Sequence, residues 1–419
     1  MHDFKFINNR LFCEDIPVEN IARKFGTPVY IYSYNTIIDH FRKIERAFSA
    51  FKPLICYSLK ANSNLAVAKI LVNAGAGLDI VSGGELLRAL RSGVRPEKIV
   101  YASVGKTKEE ISKAISAGIL FFNVESDAEL RVINNIAAHL KKQAQVAIRI
   151  NPDIEPRTHD YITTGKLTNK FGLELDEALR IFLERKEFPH VKINGIHMHI
   201  GSQIITSGPF IGAIKRVVEF IKKLKRRGIK IEYLNIGGGL GIIYNKEKPQ
   251  TADEFARNIT GLLKEAGLKI ILEPGRFIVG NAGILVTKVS YVKKNRYKTF
   301  VVVDAGMNDL IRPALYSAYH EIVPLNRAAS EEKRAADIVG PICESADFLA
   351  KNRKMPHVNE GDLLAVMGAG AYGFSMASNY NSRLRPAEVL VKARQFFLIR
   401  EREKFADIIK GEQIPDFLG

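Results

Sequence analysis

Tryptophan is absent from the 419 residues, methionine occurs only six times, and the three cysteines, Cys13, Cys56 and Cys343, lie far apart and are odd in number. That scatter excludes a disulfide framework and a clustered metal site, so the cysteines read as reduced thiols and no metal is expected. No run approaches the roughly 18 to 20 apolar residues of a membrane-spanning helix, and the opening Met1-His2-Asp3-Phe4-Lys5 lacks a signal peptide's apolar region. A cytoplasmic protein without membrane contact is expected. Low-complexity tracts are also missing. Scarce Met and absent Trp beside many Lys and Glu residues are a composition that suits a thermophile.

Hydrophobic residues at 46 % and charged residues at 26 % fit a globular enzyme rather than a disordered or fibrous chain. The length is too great for one ordinary domain, which points to two cores. The net charge of +17 raises the question of nucleic acid. However, the basic residues fall mostly on helical faces such as 215–230, with no interleaved aromatic platform, so a solvated basic surface is expected and no nucleic-acid partner. That surface would still favour an anionic substrate.

From about residue 55 the chain alternates short β-rich apolar runs with amphipathic helical stretches, the signal of a parallel sheet with crossover helices. Eight runs are legible: 55–59, 77–82, 99–103, 121–125, 146–151, 193–199, 233–236 and 269–273. Helices are expected over 84–91, 108–117, 127–140, 176–185, 210–227 and 252–266, several ending at a glycine. Eight units in about 220 residues favour a closed (β/α)8 barrel over an open doubly wound sheet. Beyond Arg276, strand-like runs over 282–292, 299–304, 337–340 and 362–367 predict a mostly antiparallel β domain, with 326–336 as a polar exposed loop.

Barrel enzymes take their reacting groups from the carboxyl ends of the strands. The first run ends in Tyr57-Ser58-Leu59-Lys60, the second carries Asp79 and ends in Ser82-Gly83-Gly84-Glu85, and the fifth ends in Arg149-Ile150-Asn151. The sixth ends in His197-Met198-His199-Ile200-Gly201-Ser202, the seventh in Gly237-Gly238-Gly239, and the eighth in Glu273-Pro274-Gly275-Arg276. A desolvated lysine amine can act as a nucleophile, and bare glycine amides approach an anion closely. Each group also has a plain structural alternative. Lys60 could be a surface lysine, His199 a satisfied core histidine, and Gly237 to Gly239 a tight turn, while Glu273 and Arg276 could pair with each other.

These segments resemble the fold-type III pyridoxal-phosphate decarboxylases across essentially the whole chain, in the segments FGTPVYIYS, CYSLKAN, LDIVSGGEL, HMHIGSQ, NIGGGLGI, EPGR, MNDLIRPALYSAYH, GPICESAD and GAYGFSMASNYNSR. CYSLKAN departs from the commoner CYAVKAN only beside the lysine. The resemblance implies a cofactor-binding barrel over 34–280 and a β-sandwich or β-barrel domain built from 1–33 and 281–419. It implies that Lys60 carries pyridoxal 5′-phosphate, that His199 stacks on the ring, and that Glu273 pairs with the ring nitrogen. Asp79 and Arg149 complete the cofactor set. Ser202, Gly237, Gly238, Gly239, Gly275, Arg276 and Tyr372 would hold the phosphate. Racemases on this fold typically place an arginine at the ring nitrogen, so a carboxylate there favours loss of carbon dioxide.

For the substrate the resemblance implies Arg276, Arg312, Tyr316, Glu344 and Tyr372, with Cys343 returning a proton to the α-carbon. The alternative for Cys343 is a small buried hydrophobe. The segment with Cys343 and Glu344 would cross into a partner copy's site, which implies a homodimer. The planar fork of Arg312 suits the second carboxylate of a diamino diacid such as meso-diaminopimelate. The rival is a decarboxylase of ornithine, arginine or carboxynorspermidine type, expected to carry an acidic residue for a distal amine in place of Arg312-Pro313. A catalytically dead homologue is disfavoured by the presence of Lys60 and Cys343.

Overall fold

A computed structural model describes residues 2–154, 170–326 and 332–418. By internal contacts the chain divides into two compact units, one of Met1–Thr36 with Gly280–Gly419 and one of Ile37–Val279.

The second unit is a closed eight-stranded barrel. Its strands are β1 (Leu54–Ser58), β2 (Gly77–Ile80), β3 (Ile99–Tyr101), β4 (Phe121–Val124), β5 (Ala144–Arg149), β6 (Val191–His197), β7 (Tyr233–Asn235) and β8 (Lys269–Leu272). All neighbours run parallel, and β8 closes onto β1 with Ile271 opposite Leu54. Every expected strand is present, within two residues of its expected bounds at each end. The legibility has a physical cause: strands covered on both faces are nearly continuous apolar runs. Cys56, Val100, Phe121, Ala147 and Ile271 pack together inside, and burial pushes the Cys56 thiol well above its ordinary value.

The helices follow the sequence's own stop and start signals. Thr107 and Thr251 form capping boxes with Glu110 and Glu254, and Gly93, Gly118 and Gly267 end their helices in the left-handed region that a residue without Cβ enters freely. Among the described residues of this part of the chain, three α-helices lack an expectation: Tyr34–Ala47, Leu65–Asn73 and the short Arg276–Val279. The second of these has an apolar composition close to that of a buried strand, so periodicity marks it poorly.

In the other unit a nine-stranded mixed sheet is organised by the long strand Gly283–Lys294. Val29–Ser33, buried at all five positions, lies between it and Ala387–Lys392, antiparallel to the first and parallel to the second. A segment near the start of the chain thus supplies an interior strand of a sheet otherwise built from the chain's end. The four expected strand runs are present, but Arg334–Val339 begins three residues earlier than expected, inside the stretch read as a loop. Its first two residues are exposed and polar or small, which hid the strand; 327–331 lie outside the described residues. Ile322–Pro324, Phe348–Met355, Ala387–Lys392 and Gln395–Arg400 are further strands.

Candidate active site

Lys60 sits on a single helical turn, Leu59–Ala61, directly after β1, between two fully buried neighbours that fix its backbone. Its side chain keeps 37 % exposure, and Nζ donates to Asp79 Oδ2 at 2.7 Å. Asp79 lies on β2, is completely buried, and also accepts from Ser58 Oγ. Burial raises the Asp79 carboxyl, the Glu273 charge adds to that, and Lys60 opposes both. This is not an ordinary surface lysine.

Glu273 follows β8 and is buried. Its Oε1 accepts from two amides, Asn123 Nδ2 at 3.0 Å and Asn235 Nδ2 at 2.6 Å. His197 Nε2 stands 3.3 Å from Oε2, within ion-pair range but off hydrogen-bond geometry. Burial pulls this carboxyl upward; His197, Lys60 and the Asn235 amide outweigh it, and the net shift is well below the usual range. These contacts favour the ionised carboxylate in the neutral range.

His199 is half-buried, and its Nδ1 accepts from the Gly238 N–H at 3.3 Å, which leaves the ring proton on Nε2. Desolvation, with Arg149 and Lys60 adding, lowers it to about 3, so the imidazole is neutral. Arg149, at the end of β5 and buried, donates to Glu125 Oε1 at 2.7 Å and lies 4.9 Å from the Phe171 ring centre. The mutual influence of Lys60, Asp79, Arg149, His199 and Glu273 places them in one electrostatic neighbourhood.

Gly237, Gly238 and Gly239 do more than turn the chain. A Cβ on Gly238 would lie 2.1 Å from the Glu273 carbonyl oxygen; on Gly237, 2.6 Å from that of Met198; on Gly239, 2.5 Å from that of Gly201. Gly237 and Gly239 also have φ of +69° and +112°, where L side chains are strained. The run thus packs bare backbone against the ends of β6 and β8. Gly275 is similarly tight, its Cβ position 3.0 Å from that of Ala61. Arg276 is buried and donates to Ser202 Oγ at 3.2 Å and to Tyr244 Oη at 2.7 Å.

The remaining expected residues belong to the other unit. Arg312 is buried and opens a short helix to Tyr316. Cys343 is exposed, which excludes the buried-hydrophobe alternative, and its N–H donates to Asn381 Oδ1. Glu344 accepts from Tyr380 Oη. Tyr372 holds φ of +55°, a conformation a bulky residue keeps only where its surroundings impose it.

Sequence reasoning passed over Asn123, Asn235 and Tyr244, and it named Glu85 and His197 at strand ends without giving either a role. Burial raises Glu85 to about 7, with Lys60 opposing, and Oε2 accepts from the Val81 N–H at 2.8 Å. The available signal was a polar residue inside a doubly buried strand, which Asn123 and Asn235 both provide.

This arrangement fits pyridoxal 5′-phosphate. Its donor set joins an accessible lysine amine, a buried carboxylate held by two amides, a neutral imidazole, and the Arg276 cation bound to Ser202.

Comparison with known proteins supports that cofactor. Residues 34–280 match the family described as pyridoxal-dependent decarboxylase, pyridoxal binding domain. The diaminopimelate decarboxylase of Aquifex aeolicus is 48 % identical over 407 residues, covering 97 % of this chain and 96 % of the relative. That of Haemophilus influenzae is 46 % identical over 409 residues, covering 97 % and 98 %. Among solved structures, diaminopimelate decarboxylase from M. jannaschii in co-complex with L-lysine superimposes with TM-score 0.95 at 40 % identity, covering 100 % of both chains.

Proposed function

The chain belongs to the pyridoxal-dependent decarboxylases, and from that membership we propose that it converts meso-2,6-diaminopimelate to L-lysine and carbon dioxide, the last step of lysine biosynthesis by the diaminopimelate route. The observation that carries the reading is Glu273, buried just after β8 with the Asn123 and Asn235 amides on one carboxylate oxygen and His197 beside the other. When bound, pyridoxal 5′-phosphate supplies an electron sink for the carbon that loses carbon dioxide, an ability that depends on a protonated ring nitrogen.

Each residue then has one task. Lys60 Nζ would carry the cofactor, with Asp79 holding the ammonium in place. Glu273 would accept the N–H of the ring nitrogen, and the neutral face of His199 would cover the ring without adding charge. Arg149 would border the ring. Ser202, the Gly237–Gly239 run, Gly275, Arg276 and Tyr372 would bind the phosphate. On the substrate side, Arg276, Tyr316, Glu344 and Tyr372 would hold the reacting end. Arg312 would take the distal carboxylate, and Cys343 Sγ–H would return a proton to the α-carbon.

We also assign the enzyme to a homodimer in the cytoplasm. Exposure of Cys343 and Glu344 on a single chain supports their reaching a partner's site. Among the described residues no helix is long and apolar enough to cross a membrane.

Supplying meso-diaminopimelate, ornithine, arginine and lysine separately to purified enzyme tests the substrate. Lysine and carbon dioxide are expected from the first alone, and faster turnover of ornithine or arginine would sink the assignment. A complementation experiment tests the shared site. Lys60→Ala and Cys343→Ala proteins are each expected to be inactive. Unfolded together and refolded, they are expected to recover about a quarter of wild-type activity, because half the dimers then hold one intact site in two. No recovery from mixed dimers would place Cys343 and Lys60 of one site on the same chain.

A further inference from the structure

Arg312 Nη1 lies 2.7 Å from Nε2 of His320, a residue with no solvent exposure. A guanidinium only donates and stays charged at every working pH. Nε2 must therefore be the acceptor, and the imidazole proton must sit on Nδ1. There it meets the Met367 carbonyl oxygen at 2.8 Å. Both ring nitrogens are thus assigned by geometry, and the imidazole is neutral.

The backbone of His320 is equally fixed. Its carbonyl accepts from Arg353 Nη1 at 2.6 Å, and that guanidinium lies 4.0 Å from the Tyr319 ring centre. Met367 N–H in turn donates to the Glu321 carbonyl at 2.8 Å, so the acceptor of the Nδ1 proton is tied to the residue after His320. His320 is a rigid post.

The choice of partner matters. A buried arginine oriented by a carboxylate has its charge largely cancelled before any ligand arrives. An imidazole acceptor fixes one arm of the fork and adds no negative charge of its own to the contact, a geometry suited to binding a carboxylate.

We propose that His320 is a positioning residue that sets substrate specificity, by holding the Arg312 fork in a fixed orientation for the distal carboxylate of a diacid substrate. The inference rests on the reading of Arg312 given above, and its test separates the two.

Steady-state kinetics with meso-diaminopimelate would be measured on holoenzyme carrying His320→Leu, His320→Gln, His320→Asn, Arg312→Met, or His320→Leu with Arg312→Met. Loss of a hydrogen bond to a charged group is worth roughly tenfold or more in binding, so His320→Leu is expected to raise KM by about that factor with kcat within about threefold. Glutamine can place an amide oxygen at the Nε2 position and is expected to restore most of the loss. Asparagine reaches only the Nδ1 position and is expected to behave as leucine does. In the Arg312→Met background His320→Leu is expected to add less than about twofold.

If Arg312→Met raises KM and His320→Leu does not, the positioning role is overturned and the Arg312 reading stands. If Arg312→Met leaves KM unchanged, the Arg312 reading fails and takes the inference with it. Equal kinetics for the glutamine and asparagine variants, or additive losses in the double variant, would reduce His320 to a packing residue. The glutamine and asparagine comparison decides the matter even if the leucine variant does not fold.

Discussion

Replacing Lys60 with alanine is expected to lower turnover by on the order of a thousandfold or more, the scale on which loss of a covalent catalytic group is felt. Enzyme loaded with pyridoxal 5′-phosphate should be yellow, and the variant should lose that colour on dialysis because the amine proposed to carry the cofactor is gone. The fold should survive. Leu59 and Ala61 are fully buried on either side and hold the turn, while the Lys60 side chain itself is more than a third exposed. The partner left behind is Asp79, completely buried and already raised by desolvation and by Glu273. Without the Lys60 ammonium that carboxyl moves further up and can take a proton, which relieves the uncompensated charge. Absorbance, bound cofactor and carbon dioxide release check the result together. A variant that kept both its colour and full turnover would remove Lys60 from the centre of the site.

Lys60 was legible because the apolar run of β1 points straight at it, and the same holds for the termini of β2, β5, β6, β7 and β8. A parallel strand buried on both faces writes itself as a hydrophobic run, and the residue that follows such a run is at the mouth by construction. What the sequence hid is the set of groups that act through others. Asn123 and Asn235 sit inside strands, where apolar patterning passes over them, and only the fold brings both amides to one oxygen of Glu273. Tyr244 meets Arg276 across 32 residues. The strand Val29–Ser33 carried no strand expectation, and its pairing with Gly283–Lys294 and Ala387–Lys392 spans more than 250 residues, beyond any local pattern. Gly238 reversed the usual relation, because a turn-like glycine proved to be required by a neighbouring carbonyl rather than by its own dihedral angles.

Glu273→Gln is expected to be the second most damaging change, and its signature should differ from that of Lys60→Ala. Glutamine matches glutamate in volume, and its amide oxygen can still accept from Asn123 and Asn235, so the protein should fold and remain coloured. What disappears is the negative charge that would keep a ring nitrogen protonated. Removing one preorganised electrostatic partner costs about 100-fold or more in kcat, and that loss is expected here with KM changed far less. The pH profile gives an independent readout. In the wild type the carboxyl is depressed below its ordinary value, so it stays ionised through the neutral range and contributes no acid limb there. Its stabilising contribution is present above the unfolded-state value and is lost only as pH falls through the lower folded one. Asn235→Leu removes one amide that favours the charged form, so it should raise that value and draw an acid limb of activity toward neutrality while leaving Glu273 in place. A glutamine variant with wild-type kcat would show that the charge at the end of β8 is structural, and the case for decarboxylation built on Glu273 would fall with it.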